Sequence, residues 1–281
     1  MIEKGIQNLP CWNGPIEIEP LSGGNTNQNF KVSDSKDVYV VRYCEEIPLL
    51  GISRQNEKLC STLAFQAGLA PELIHFEEKF QVTRFVQGRT FDDEVVRQPD
   101  SLKRIAKALN QLHSFRDKII GEPVYFSVFQ AINTYYSTAN RLGAELPSDI
   151  KELMLKVSQL ADKMEPFHPT LCHNDMVAAN VIGDEERIWI VDWEYSGIGN
   201  PLFDLAGIGA NCSLTPEQES FFVSAYFGRD NEKALKDVRI LKIASLLREA
   251  LWASIQTKLS ELDFDYLAYG EEYYGRFRKT A

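Results

Sequence analysis

LCHNDMVAANVIGDEERIWIVDWEYSGIGNPLFD, residues 171–204, decides how the rest of the chain is read. Two short apolar segments, Asn180 to Ile182 and Arg187 to Val191, flank Gly183-Asp184-Glu185-Glu186, a pattern that predicts a β-hairpin with its turn at the acidic tip. His173, Asn174 and Asp175 precede the first strand, Asn180 begins it and Asp192 follows the second. A hairpin brings its two open ends together, so Asp175, Asn180 and Asp192 should gather at one place. Carboxylate and amide oxygens there suit cations and, through them, phosphates.

Outward from the hairpin the chain changes character. Towards the C-terminus, Thr215-Pro216-Glu217-Gln218 combines an N-cap, a proline at the first helical position and a capping-box glutamine, predicting a helix to about Phe227. Further helices are expected from about Glu232 to Ser260 and from Asp265 to Arg278. On the N-terminal side, Leu102, Ile105, Leu109 and Leu112 mark one face of a helix over Ser101 to Phe115; others cover Val128 to Leu142 and Ser148 towards Met164.

Before residue 88 strands dominate: Ile16 to Pro20, Asn27 to Val32, Val38 to Arg42, Leu73 to Phe76 and Gln81 to Val86, with one helix from Arg54 to Ala67. Gln87 to Thr90 reads as a flexible exit. The expected fold is therefore α+β and two-lobed, of protein-kinase-like type: a small antiparallel sheet with one helix over residues 1–88, and a larger, mainly helical lobe over 89–281.

The spacing of the acidic residues matches that fold. The protein-kinase template is H-R-D-x-x-x-x-N followed by a magnesium-binding Asp. His173-Asn174-Asp175 followed by Asn180 keeps four residues between Asp and Asn, and Asp192 lies 12 residues beyond Asn180. In such a site a carboxylate (Asp175) accepts the proton of an attacking hydroxyl, while Asn180 and Asp192 hold Mg²⁺. Asp and Asn also cap turns and helices, so no one of the three is diagnostic; the joint spacing is. Arg42, at the end of a strand, and Glu57, on the next helix, form the expected pair that orients nucleotide phosphates, with arginine in place of the template's lysine. Gly23, Gly24, Asn25 and Thr26 lie in a loop that exposes backbone N–H groups to phosphate, although Gly-Gly turns occur in many sheets without a ligand.

Composition excludes several other classes. The 281 residues are 44% hydrophobic, enough for one or two substantial cores. Forty acidic residues against 30 basic give a net charge of −10 without a basic block, so nucleic acid is not an expected partner. No uncharged apolar run approaches a membrane span, and MIEKGIQNLP has no apolar leader core, so the expected location is cytoplasmic. Cys11, Cys44, Cys60, Cys172 and Cys212 are widely spaced and odd in number, predicting reduced, buried thiols rather than disulfides or a zinc site.

On these motifs the sequence resembles the choline and ethanolamine kinases, within the wider group that includes aminoglycoside phosphotransferases. The resemblance runs from about Leu21 to Phe277 and rests on LSGGNTNQNF, VVR, SRQNE, HNDMVAAN and VDWEY. It implies ATP and Mg²⁺ as cofactors, Asp175 as base, Asn180 and Asp192 as metal ligands, and a hinge at Thr83 to Val86, including Arg84, Phe85 and Val86, for adenine. It also implies that LWASIQTKLSELDFDYLAYGEEYYGRF is a choline-binding region. The acid Asp204 resembles one that braces the catalytic loop in this fold, and it could equally start a helix.

A quaternary ammonium cannot donate N–H hydrogen bonds, so aromatic faces with a nearby carboxylate recognise it. Trp252, Tyr266 and Tyr269 on the C-terminal helices, and Trp193, Glu194 and Tyr195 beside the metal site, are the candidate wall. An aromatic stripe at helical spacing is also ordinary core. Where choline kinases often carry a second tryptophan one turn before Trp252, this chain has Glu249, an acid that favours a primary or less methylated amine. The expected reaction is phosphorylation of a small amino alcohol, choline first. Ethanolamine, thiamine and aminoglycoside kinases are the alternatives within the class, and a non-catalytic nucleotide-binding regulator is the alternative outside it. The sequence does not set the oligomeric state.

Overall fold

Side chains alternate across a strand, and in the first third of the chain this alternation builds a two-faced sheet. The computed structural model describes residues 2–21, 28–77, 79–184 and 186–281. Strands β1 (Glu17–Leu21), β2 (Gln28–Ser33), β3 (Val38–Tyr43), β4 (Leu73–Phe76) and β5 (Phe80–Arg84) form an antiparallel sheet in the order β1-β2-β3-β5-β4. Phe30, Val32, Tyr39, Val41 and Val82 form a small core with Ile6 and Leu9. Val40 and Arg42 lie on the other face by the same alternation. Ile6 belongs to a short helix that the sequence reading does not contain, α1 (Ile2–Gln7). Six residues are too few to show periodicity, and the Trp12 indole, donating to the Ile6 carbonyl at 2.7 Å, secures the helix end.

Helix α2 (Arg54–Gln66) starts at Ser53, whose side chain accepts from the Asn56 amide. It gives way at Gly68, where a φ of +80° requires glycine. Cys60, Leu63 and Ala64 join the core of the larger lobe. Helix α2 thus joins the sheet lobe to the helical lobe.

The larger lobe begins with β6 (Arg89–Thr90), α3 (Asp93–Val96), α4 (Pro99–His113), α5 (Val128–Leu142) and α6 (Ile150–Ala161). Strand β7 (Thr170–Cys172) leads to the hairpin β8 (Val181–Gly183) and β9 (Ile188–Ile190), then to β10 (Gly197–Gly199). The hairpin is present as read, with Ile182 opposite Trp189. Its surroundings differ from the expectation of helix alone. The supposed exit at Arg89–Thr90 adds a third strand alongside β8, and β7 pairs antiparallel with β10. Strands of two or three residues carry no periodic signal, so only tertiary pairing reveals them.

The chain ends in α7 (Leu202–Asn211), α8 (Pro216–Phe227), α9 (Glu232–Leu259) and α10 (Tyr266–Thr280). Helix α7 is buried from Leu202 through Ala210, so it lacks the amphipathic pattern by which a helix is read. Helix α9 is the spine of the lobe and packs against α5, α7 and α10. Among the described residues no helix is long and apolar enough to cross a membrane.

Helix α8 has the capping box read from its sequence, Thr215 and Gln218 each bonding the other's backbone amide. Thr215→Ala should cost about 1 kcal/mol, measured as a lower denaturation midpoint with an unchanged slope.

Candidate active site

The hairpin's hydrogen bonds assemble the acidic cluster. Asn180 ends a single 3₁₀ turn before β8, and its carbonyl accepts from the amide of Val191, the residue before Asp192, at 3.0 Å. The Asn180 side-chain nitrogen donates to the Asp175 carbonyl at 3.0 Å, which leaves the amide oxygen as the end available to a cation. Asp175, Asn180 and Asp192 are therefore brought together.

One of these residues, Asp192, and the neighbour of another, Asn174, have backbone strain. Asn174 and Asp192 adopt φ of 65° and 69°, left-handed conformations that non-glycine residues hold only under constraint. At Asn174 the constraint is Asp204. Its Oδ1 accepts the Asn174 amide at 2.7 Å, and its Oδ2 accepts the His173 amide at 2.9 Å and His113 Nε2 at 3.0 Å. His113 Nδ1 is in turn bonded to the Tyr226 hydroxyl at 2.8 Å. Asp204, in the first turn of α7, braces the loop by direct bonds. His113, Cys172 and Asp204 lie within 4.8 Å of one another, but both imidazole nitrogens and both carboxylate oxygens are already engaged, so the trio is a brace rather than a metal centre. Burial and the Asp204 charge push the Cys172 thiol well up, which suits a core thiol and not a nucleophile.

His173 supports the loop from its other side. Its Nδ1 accepts from the Asp175 amide at 3.3 Å, so the ring proton sits on Nε2, which donates to the Val191 carbonyl at 2.9 Å. One imidazole thus ties the residue before Asp192 to the residue bearing the candidate base.

Arg42 reaches this cluster from the sheet lobe. Its guanidinium contacts Glu57 Oε1 at 3.1 Å, Asp192 Oδ1 at 2.6 Å and the carboxylate of Glu194. Burial alone would loosen its proton, but Asp192, Glu194 and Glu57 outweigh that and hold it well above the usual arginine range. Glu57 is fully buried and also pairs with Arg54. Asn56, one residue earlier, donates to the Ser196 carbonyl at 2.8 Å and accepts from the Val124 amide at 2.9 Å, fastening α2 to the larger lobe.

The residues present fit a magnesium ion. Asp192 Oδ1 is buried and, although in ionic contact with Arg42, accepts no hydrogen bond among the described residues. A carboxylate oxygen from Asp192 and an amide oxygen from Asn180 are the hard donors that Mg²⁺ takes.

On the far side of Asp175 the wall is aromatic. Tyr195 is hydrogen-bonded through its hydroxyl to Trp252 Nε1 at 3.1 Å, and Trp252 meets Tyr266 and Tyr269 edge-on at centroid distances of 5.8 and 6.3 Å. The Tyr269 hydroxyl donates to Glu249 Oε1 at 2.9 Å. Burial raises the Glu249 carboxyl above its ordinary value and Asp175 adds to the rise, opposed by Arg248 and Tyr269. Its side chain is nonetheless 17% exposed, so a ligand can reach it.

The other expected site residues have the following partners in the structure. Trp193 is 3% exposed and packs edge-on to His173 at 4.8 Å, with its indole donating to the Ile190 carbonyl. Glu194 pairs with Arg42. At the hinge, Arg84 directs its guanidinium to Asp37 and Glu72 at 2.9 and 3.0 Å, across the sheet, and the Phe85 amide is used by the Val38 carbonyl. Phe85 and Val86 are both partly buried. Tyr266 is 5% exposed with its hydroxyl on Ser260, and so supports Trp252 from behind. Gly23, Gly24, Asn25 and Thr26 lie outside the described residues.

Arg248 escaped the sequence reading. It is buried in α9 and bonds the Asn174 carbonyl at 2.8 Å and Asp175 Oδ1 at 2.7 Å. The available signal was an adjacent pair of opposite charges inside the apolar run LLREALW.

Comparison with known proteins places the chain in a family. The choline/ethanolamine kinase family model matches residues 18–278. Protein LicA of Haemophilus influenzae is 29% identical over 250 residues, covering 85% of this chain and 72% of its own. The crystal structure of a choline/ethanolamine kinase family protein from Mesorhizobium loti has a TM-score of 0.83 at 27% identity, covering 100% of this chain and 95% of that one. Choline kinase LicA from Streptococcus pneumoniae has a TM-score of 0.78 at 26% identity, covering 99% and 96%. The fold is protein-kinase-like, with an antiparallel sheet lobe joined to a mainly helical one.

Proposed function

The chain belongs to the choline/ethanolamine kinase family, whose members phosphorylate the hydroxyl of an amino alcohol, and we propose that it does so with ATP and Mg²⁺ through Asp175, Asn180 and Asp192, choline being the first acceptor. Residues 1–88 would hold the nucleotide, and residues 89–281 would carry the catalytic loop and the substrate wall. The observation that carries this reading is the convergence of Asp175, Asn180 and Asp192 beside the Tyr195–Trp252 pair.

Asp175 would orient the acceptor hydroxyl and take its proton as the oxygen attacks the γ-phosphorus. Arg42, fixed by Glu57, would meet the nucleotide phosphates, with the Gly23-Gly24-Asn25-Thr26 loop over them and Phe85 and Val86 bordering adenine. Mg²⁺, held by the Asn180 amide oxygen and the Asp192 carboxylate, would neutralise charge on the phosphates. Trp252, Tyr195 and Tyr269 would receive the cationic head through their ring faces. The location that goes with this reading is the cytoplasm, where ATP is supplied.

Ethanolamine is a second reading, favoured by Glu249. Its carboxylate beside Tyr269 can accept N–H bonds that a trimethylammonium cannot give. ADP release measured with choline, ethanolamine, thiamine and kanamycin tests both. Turnover with choline or ethanolamine is expected; turnover with kanamycin alone, or with none of the four, would sink the proposal. Glu249→Gln should lower kcat/KM for ethanolamine about tenfold more than for choline, the value of one hydrogen bond to a charged group.

A further inference from the structure

Arg248 makes the most specific contacts in the site for which the reading above has no role. Its guanidinium lies between the two residues that define the catalytic loop: Nη1 donates to the Asn174 carbonyl at 2.8 Å and Nη2 to Asp175 Oδ1 at 2.7 Å. Nη2 also lies 3.5 Å from Glu249, and the cation sits 5.1 Å from the Tyr195 ring centre. Burial opposes its charge, and Asp175 and Glu249 more than restore it.

This arrangement is costly to keep. The side chain is 4% exposed, and its Nε has no hydrogen-bond partner among the described residues. Replacing the whole ion pair by packed apolar side chains would avoid both penalties, and buried ion pairs are often matched or exceeded by such replacements, although replacing Arg248 alone would strand Asp175 Oδ1 and the Asn174 carbonyl. Net stability is therefore a weak reason to build the pair at all, and the aim of the two Arg248 donors points to a use for it.

We propose that Arg248 is a positioning residue that sets which oxygen of Asp175 acts as the base; the proposal rests on the amino-alcohol kinase reading above. The peptide between Asn174 and Asp175 is held at both ends, its carbonyl by Arg248 and its N–H by His173 Nδ1. With Oδ1 occupied by Arg248, Oδ2 is left to the acceptor hydroxyl. The hydroxyl proton passes to Oδ2 as the acceptor oxygen bonds to the γ-phosphorus, and the bond from that phosphorus to the bridging oxygen breaks to release ADP. The cation also stands between Asp175 and Glu249, so two carboxylates can share one pocket, one for the hydroxyl and one for the ammonium.

The test uses Arg248→Met, which keeps length and loses both donors, and Arg248→Lys, which keeps the charge but loses the two-pronged fork. Arg248→Met should lose about 10²-fold in kcat, the scale of a misplaced catalytic group, while KM for ATP moves less than about threefold. Arg248→Lys should recover about tenfold over Arg248→Met, since a single ammonium can serve one of the two acceptors. Arg248→Met with kcat within about threefold of wild type would overturn the proposal, because displaced groups normally cost far more. So would Arg248→Lys no faster than Arg248→Met. If Arg248→Met fails to bind ATP or to melt cooperatively, Arg248→Lys decides alone: a fall in kcat with unchanged KM for ATP supports positioning, and wild-type kcat overturns it. Wild-type turnover in the same assay separates the two readings. A wild type silent on choline and ethanolamine counts against the function, whereas an active wild type with an equally active Arg248→Met counts against Arg248 alone.

Discussion

Asp175→Asn should lower kcat by about 10²–10⁴-fold, the range that a positioned general base contributes, while the Kd for ATP stays near that of the native protein. Asparagine keeps an oxygen for Arg248, whose bond to Oδ1 is 2.7 Å, so the loop geometry should survive and the loss should fall on turnover. The variant cannot take a proton from the acceptor hydroxyl. Steady-state ADP release with saturating amino alcohol, alongside an ATP titration, reads both quantities. A variant that kept more than a tenth of native turnover would remove Asp175 from the role of base.

The second large effect concerns stability. Glu57→Leu should destabilise the fold by about 3–5 kcal/mol, the usual result of leaving a buried charge without its partner. Glu57 is the one acidic partner of Arg54 among the described residues, and Arg54 Nε and Nη2 already lack hydrogen-bond partners. Arg42 keeps Asp192 and Glu194, so most of the damage should come from Arg54. Urea unfolding measures it, and a loss below about 1 kcal/mol, the value of an exposed ion pair, would show that Arg54 finds another route to solvent. Glu57→Gln, which retains an acceptor oxygen, should lie between Glu57→Leu and the native protein.

These two residues were legible in the sequence for different reasons. Asp175 is identified by spacing, because the four residues to Asn180 and the 12 from there to Asp192 are set by covalent chain length and one hairpin. Glu57 is identified by its place on a helix that follows a strand ending in arginine, and α2 begins at Arg54 as the pattern requires. The partner of Glu194 was not legible, although it lies two residues from Asp192. A residue near β9 can turn either to the phosphate side or to the aromatic wall, and the choice was made by Arg42, 152 positions away. Trp193 went the other way for a similar reason, since His173 offered its ring a face inside the core.

The sequence by itself determined the two lobes, the hairpin and the trio Asp175, Asn180 and Asp192, because each depends on periodicity or on short spacing within one stretch of chain. Long-range packing decided the rest: the β6–β8 and β7–β10 pairings, the brace of Asp204 on the His173 and Asn174 amides, and the reach of Arg248 from α9 to Asp175. The physical reason is that a buried polar group must find a partner wherever the fold supplies one. Arg248 and Asp175 are 73 residues apart, a separation that no local pattern records.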